Sequence, residues 1–279
     1  MVAISLALGA SLAWGASDFL GGLQSRRIPV ATVLLASQAL GLILVLPAAL
    51  AFGGALPGAE TAAWAAGAGV AELVGFAALY RGLASGSMSL IAPLSATAGV
   101  VPLLVGLASG EHLGPVQWAG VALALAGVAL SATETAASGR PRIAQGCGLA
   151  LLAALGFGAF FVGMDQAADG GAWWAAVINR CASLAALASV VAATRRRPRV
   201  PAGAGRPLLG IGVLDIAANV LFAAALTQGL AGVVSVLGSL YPVTTVVLAQ
   251  LVLHERIARW QGLGVGSALA GVALLSLAT

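Results

Sequence analysis

Apolar residues in this chain come in stretches of about 20, the helix length that crosses a hydrocarbon core of roughly 30 Å. Charged residues, prolines or glycine clusters close each stretch, and ten can be drawn: 4–23, 30–52, 62–84, 88–108, 115–133, 143–164, 172–193, 207–229, 233–253 and 258–277. Apolarity is continuous rather than alternating over about ten residues, which selects helices over membrane strands. The expected fold is an all-α integral membrane protein with ten transmembrane helices.

Composition narrows the picture. Of 279 residues, 60% are hydrophobic and 8% charged, with a mean hydropathy of +1.03, whereas about a quarter of a soluble chain is charged. Lipid must be the solvent for most of this protein, and no stretch is left for a separate soluble domain. The 38 glycines fit close helix approach, because packing rather than hydrophobicity holds helices together in lipid. Cys147 and Cys181 lie in apolar stretches without Cys or His partners, so buried free thiols are expected and a disulfide or metal site is not. The first stretch carries Trp14 and Asp18 in its interior, unlike a cleaved signal peptide, and is expected to remain as the first helix.

All 13 basic residues are arginines. They are spread over short loops instead of forming one stripe, so no nucleic-acid partner is expected. Arg26, Arg27, Arg81, Arg140, Arg142, Arg195, Arg196, Arg197, Arg199, Arg206, Arg256 and Arg259 fall at every second connection, while the intervening ones carry Glu60, Glu111, Asp165 and Asp169. The positive-inside rule then makes the arginine side cytoplasmic and places both termini outside, in a multi-pass protein of the cell membrane. Trp64, Trp118, Trp173, Trp174 and Trp260 start stretches, at interfacial depth; Trp14 lies mid-stretch.

The chain also repeats itself. The run from Glu111, through Gln117 and Gly120 to Gly127-Val128-Ala129-Leu130, matches the run from Glu255, through Gln261 and Gly264 to Gly271-Val272-Ala273-Leu274, at a constant offset of 144. Gly82-Leu83-Ala84 pairs with Gly229-Leu230-Ala231, and Trp14-Gly15-Ala16 with Phe157-Gly158-Ala159. Two five-helix repeats are expected, 1–139 and 140–279, together one transport domain. An odd number of crossings per repeat inverts the second relative to the first, the plan of many secondary transporters.

Three runs carry a family likeness: W-G-A-S-D-F at Trp14 to Phe19, L-Y-P-V-T-T-V-V-L-A-Q-L-V-L-H-E-R at Leu240 to Arg256, and the glycine-punctuated last stretch ending A-G-V-A-L-L. With their duplication in the first half, they resemble EamA-type members of the drug/metabolite transporter superfamily over essentially the whole chain. That resemblance implies a ten-helix basket moving small polar metabolites, amino acids or related solutes, usually outward.

Four charges are not explained by loops. Asp18, Glu72, Arg180 and Asp215 lie within about 10 Å of the midplane at 1.5 Å rise per residue, where an ionisable group costs at least ~2.5 kcal/mol and therefore faces a polar cavity or a partner. Structural ion pairs and a substrate or proton site both account for them. Trp14 and Asp18 share a helix face, as do Asp215 and Asn219. Three carboxylates against one arginine require that some carboxylate hold a proton or meet a cation; Glu72, without an evident partner on its own face, is the expected proton carrier. Arg180 is the candidate clamp for a substrate carboxylate. Pro93, Pro102 and Pro242 free backbone carbonyls near Ser95, Thr97, Ser239, Tyr241 and Thr244, either as plain kinks or as broken helices lining a transport site. Glu111 and Glu255, beside His112 and His254, are expected to cap the helices that follow them.

A secondary transporter for small polar metabolites, proton-coupled and exporting, is the leading function; a multidrug or cation carrier and a sugar or nucleoside carrier are its nearest alternatives. A passive channel or lipid-flipping protein is a different class. A membrane-embedded enzyme would need nucleophile and base, or a metal motif, gathered on one side. No ATP-binding motif occurs, so a gradient must drive any uphill movement, and no cofactor is expected. The partners expected are a small-molecule substrate and the lipid bilayer, as monomer or homodimer.

Overall fold

The computed structural model describes residues 2–108, 110, 114–131, 133–135, 141–168, 171–195, 198, 200–201, 203–226, 228, 237–238 and 240–277. Glu111, His112, Arg140, Asp169, Arg196, Arg197, Arg199, Ser239 and Gly229-Leu230-Ala231 lie outside them. Among the described residues these helices follow one another: α1 (Val2–Ser25), α2 (Val30–Phe52), α3 (Ala59–Ser85), α4 (Met88–Ser95), α5 (Val100–Ala108), α6 (Pro115–Ser131), α7 (Cys147–Ala168), α8 (Ala172–Thr194), α9 (Gly205–Leu226), α10 (Tyr241–Val252) and α11 (Arg259–Leu277), with a 3-10 turn, Ala96–Gly99, between α4 and α5. Among the described residues, seven helices are long and apolar enough to cross a membrane, α4 through α5 counting as one, and Pro115–Leu130 and Tyr241–Val252 are shorter apolar helices.

Two details depart from expectation. Between α6 and α7 the chain forms a short antiparallel ladder, β1 (Thr133–Thr135) with β2 (Pro141–Ile143), pairing Thr133 with Ile143. The fold is therefore helical with one small strand pair, because backbone outside the hydrocarbon is free to pair as strands. Cys147 is buried as expected, but Cys181 is exposed on α8.

The fourth stretch breaks for a local reason. Pro102 has no N–H for the carbonyl of Ala98, and its ring crowds that carbonyl; the turn tightens to 3-10 over Ala96–Gly99 just before it. The Ser95 hydroxyl donates to Ala92 O at 2.8 Å and Thr97 to Leu94 O at 2.7 Å, so hydroxyls bond back onto carbonyls of α4 at the turn.

Helices pack antiparallel through glycine. α6 lies along α11, and the contacts are mirrored: a side chain on Gly127 would come within 2.6 Å of Gly264 O, and one on Gly271 within 2.7 Å of Gly120 O, each partner being the other's equivalent at the offset of 144. Gly15 of α1 sits against Tyr241 O and Thr244 of α10, as Gly158 of α7 sits against Ala98 O and Val101, again equivalents, at an offset of 143. Gln117 accepts from Gly114 N at 2.7 Å and Gln261 from Ala258 N at 3.1 Å, closing the starts of α6 and α11 alike. The packing scheme maps onto itself when the halves are exchanged: α1 lies on α9 as α3 lies on α7, and α2 lies on α8.

The two ends of the bundle differ. Arg26 donates to Leu83 O at 3.2 Å and pairs with Glu255 at 3.4 Å, and Gly86 abuts Gln145 O; the connections after α1, α3, β2 and α10 thus meet at one end. At the other end Trp174 donates to Gly54 O at 3.3 Å and Phe52 packs on Trp173. Leu12, Leu50, Phe52 and Leu263 are at least 60% exposed, which suits contact with lipid, not water.

Candidate functional site

Arg180 is the point at which four helices meet. Its guanidinium, on α8, donates to Gln38 Oε1 of α2 and lies 3.5 Å from a carboxylate oxygen of Glu72 on α3 and 3.5 Å from one of Asp215 on α9. Glycines make the meeting possible. Gly41 leaves room for the guanidinium, and Gly69 admits the α8 backbone, where Ser183 donates to Gly69 O at 2.5 Å. Arg180 and Asp215 keep 17% and 19% of their side chains accessible while Glu72 keeps 7%.

Asp18 stands beside this cluster, 8% exposed on α1. α1 is wedged by small residues between its neighbours: Gly21 and Gly22 admit Tyr80 and Leu83 of α3, Ser17 donates to Ile211 O of α9 at 3.0 Å, and Thr245 of α10 donates to Gly15 O at 3.0 Å. Asp18 lies within electrostatic range of Asp215, Tyr80 and Tyr241. Among the described residues it has neither hydrogen bond nor ion pair. One turn earlier, Trp14 packs on Phe222 with ring centroids 5.2 Å apart and on Tyr241 at 6.5 Å.

Of the residues singled out in the sequence, Trp14, Asp18, Glu72, Arg180, Asp215 and Tyr241 are thus gathered in one region. Glu72, without a partner on its own helix face, meets Arg180 of α8. Asn219 is exposed and donates to its own helix, to Asp215 O at 2.7 Å, so it lies outside the charge cluster; Phe222 is the residue of α9 that turns inward with Asp215. Pro93 and Ser95 are buried in α4 beside the broken turn, whereas Pro242 falls in the first turn of α10 and starts that helix.

Gln38 escaped the sequence reading. A lone amide in an apolar stretch gives a weak signal, yet polar side chains in lipid-embedded helices commonly bond between helices. Its Nε2, Glu72 Oε2 and Asn179 Nδ2 are buried without a hydrogen-bond partner among the described residues.

A second polar knot lies at the arginine end. Glu255 accepts from Ser87 Oγ at 2.8 Å, Met88 N at 3.0 Å and Ser89 N at 2.9 Å. It therefore caps α4, not the helix that follows it. Burial pushes its carboxyl up, but the backbone donors of Ser89 and Met88 and the Ser87 hydroxyl overcome this and hold it below its usual value.

A family model described as the EamA-like transporter family matches the chain twice, over residues 1–133 and 144–277. The chain belongs to this family. Membership makes it a membrane transporter of the drug/metabolite superfamily, and the double match follows the duplication seen in the glycine contacts. A solved structure titled only "Crystal structure of protein" aligns with a TM-score of 0.62 and 18% identity, covering 98% of this chain and 95% of that one; the likeness is one of fold. No curated protein matches.

Proposed function

We propose that the chain is a gradient-driven carrier for small polar metabolites, exporting amino acids or related solutes, with ten crossings in two inverted halves, 1–139 and 140–279. The arginine end faces the cytoplasm and both termini face outward. The observation that carries the reading is Arg180 of the second half, held between Glu72 and Gln38 of the first and Asp215 of the second. A charge set at bilayer depth is costly even when paired, and such sets commonly mark a substrate or ion path; rocking of the halves would alternately expose it.

The cluster's charge balance gives the coupling. Three carboxylates and one guanidinium leave two negative charges; a proton on Glu72, whose Oε2 has no hydrogen-bond partner among the described residues, removes one and leaves Arg180 paired with Asp215. Substrate binding then competes for, or reorganises, the groups around Arg180. Reconstitution into liposomes tests this: labelled amino acids, nucleosides and sugars are screened for saturable uptake accelerated by unlabelled solute inside. Flux that neither saturates nor shows counterflow would assign the protein to the channels instead.

A further inference from the structure

The geometry points to Asp18, with the rings of Trp14, Phe222 and Tyr241, as a binding subsite for an organic ammonium group, so that the transported solute carries a protonated amine. This rests on the carrier reading and goes beyond it by naming the chemistry the substrate must present. Arg180 divides the acidic groups unequally. It lies at 3.5 Å from both Glu72 and Asp215, and no described cation reaches Asp18, which is more than nine-tenths buried. Gly15 against Tyr241 O and the Ser17 bond to Ile211 O hold the α1 backbone that carries Asp18 closely against α10 and α9.

The surroundings of Asp18 are those a cation prefers. Trp14 is one turn away on the same face, tilted at 51° to Phe222 and edge-on to Tyr241 at 70°. Aromatic faces attract ammonium groups, most strongly when water is excluded. The three side chains are only partly buried, on α1, α9 and α10, helices that pack on one another. An ammonium here would also supply the second positive charge the cluster lacks.

The test uses full-length protein in lipid nanodiscs and a pair of probes of nearly equal shape, benzylamine, protonated at neutral pH, and benzyl alcohol, neutral. Calorimetric titration should give measurable affinity for benzylamine and at least tenfold weaker affinity for the alcohol. Asp18→Asn should lower benzylamine affinity at least tenfold, and Trp14→Leu and Tyr241→Leu severalfold, without changing the weak alcohol binding; the two ring variants keep the test decisive if Asp18→Asn does not fold. Equal affinity for both probes, or benzylamine binding untouched by all three substitutions, overturns the inference. Saturable exchange confined to solutes without a cationic group, and insensitive to these variants, would leave the carrier reading standing while refuting the ammonium subsite.

Discussion

Replacing Arg180 by alanine removes the cation that Glu72 and Asp215 share. At 3.5 Å and an effective dielectric of about 20, each attraction is roughly 5 kcal/mol, but desolvating the guanidinium offsets much of this. Breaking a buried pair by removing one partner costs about 3–5 kcal/mol, and here two carboxylates are stranded, with Gln38 losing its donor as well. Arg180→Ala should therefore destabilise the protein by about 3 kcal/mol or more, read from denaturant titration in mixed micelles. Combining Arg180→Leu with Glu72→Gln and Asp215→Asn removes every charge at the junction and should recover most of the loss, because the penalty comes from uncompensated charge and not from missing volume. A single variant within about 1 kcal/mol of wild type, or a neutral triple variant no more stable than Arg180→Ala, would refute the reasoning.

Three further outcomes are expected. Gly271→Val places side-chain atoms against Gly120 O and Ala124 and should separate α11 from α6, lowering the unfolding temperature sharply, while Gly266→Ala, which meets nothing within 4 Å, should be neutral or mildly stabilising. Glu255→Gln should lose about 1–3 kcal/mol at neutral pH; because the folded carboxyl is held below its usual value, wild type loses that advantage as pH falls through the folded value, so the gap must close in acid, and a gap undiminished at about pH 3 would contradict the assignment. In a background with Cys147 and Cys181 replaced by alanine, Glu60→Cys should react with an impermeant thiol reagent from outside and Arg195→Cys only after permeabilisation; the reverse pattern inverts the proposed orientation.

Apolar helices were legible because hydrocarbon thickness imposes length: the bounds expected for α2 match at both ends, 30–52, whereas the stretch expected over 143–164 is the helix Cys147–Ala168 and that over 233–253 has its described helix at Tyr241–Val252. The duplication was legible because close packing of α6 on α11 demands glycine at matching places. What remained hidden were contacts between helices distant in sequence. Nothing along α3 shows that Glu72 meets Arg180, 108 positions later, and Gln38 reads as one polar residue in an apolar run. Helical spacing alone grouped Asn219 with Asp215, yet the two differ in fate, since an amide four residues on can return to its own backbone. Glu255 was expected to cap the next helix; the sharp connection before α11 turns it instead toward the start of α4.

The most direct test of the account compares wild type and Glu72→Gln in proteoliposomes carrying an imposed pH gradient, with a solute found by the counterflow screen. Glutamine keeps the shape and a polar contact for Arg180 but cannot exchange a proton. The account predicts that wild type accumulates solute against its gradient, and that Glu72→Gln fails to accumulate it while still exchanging solute for solute. Accumulation at the wild-type level in Glu72→Gln would contradict it and reduce Glu72 to a structural partner of Arg180.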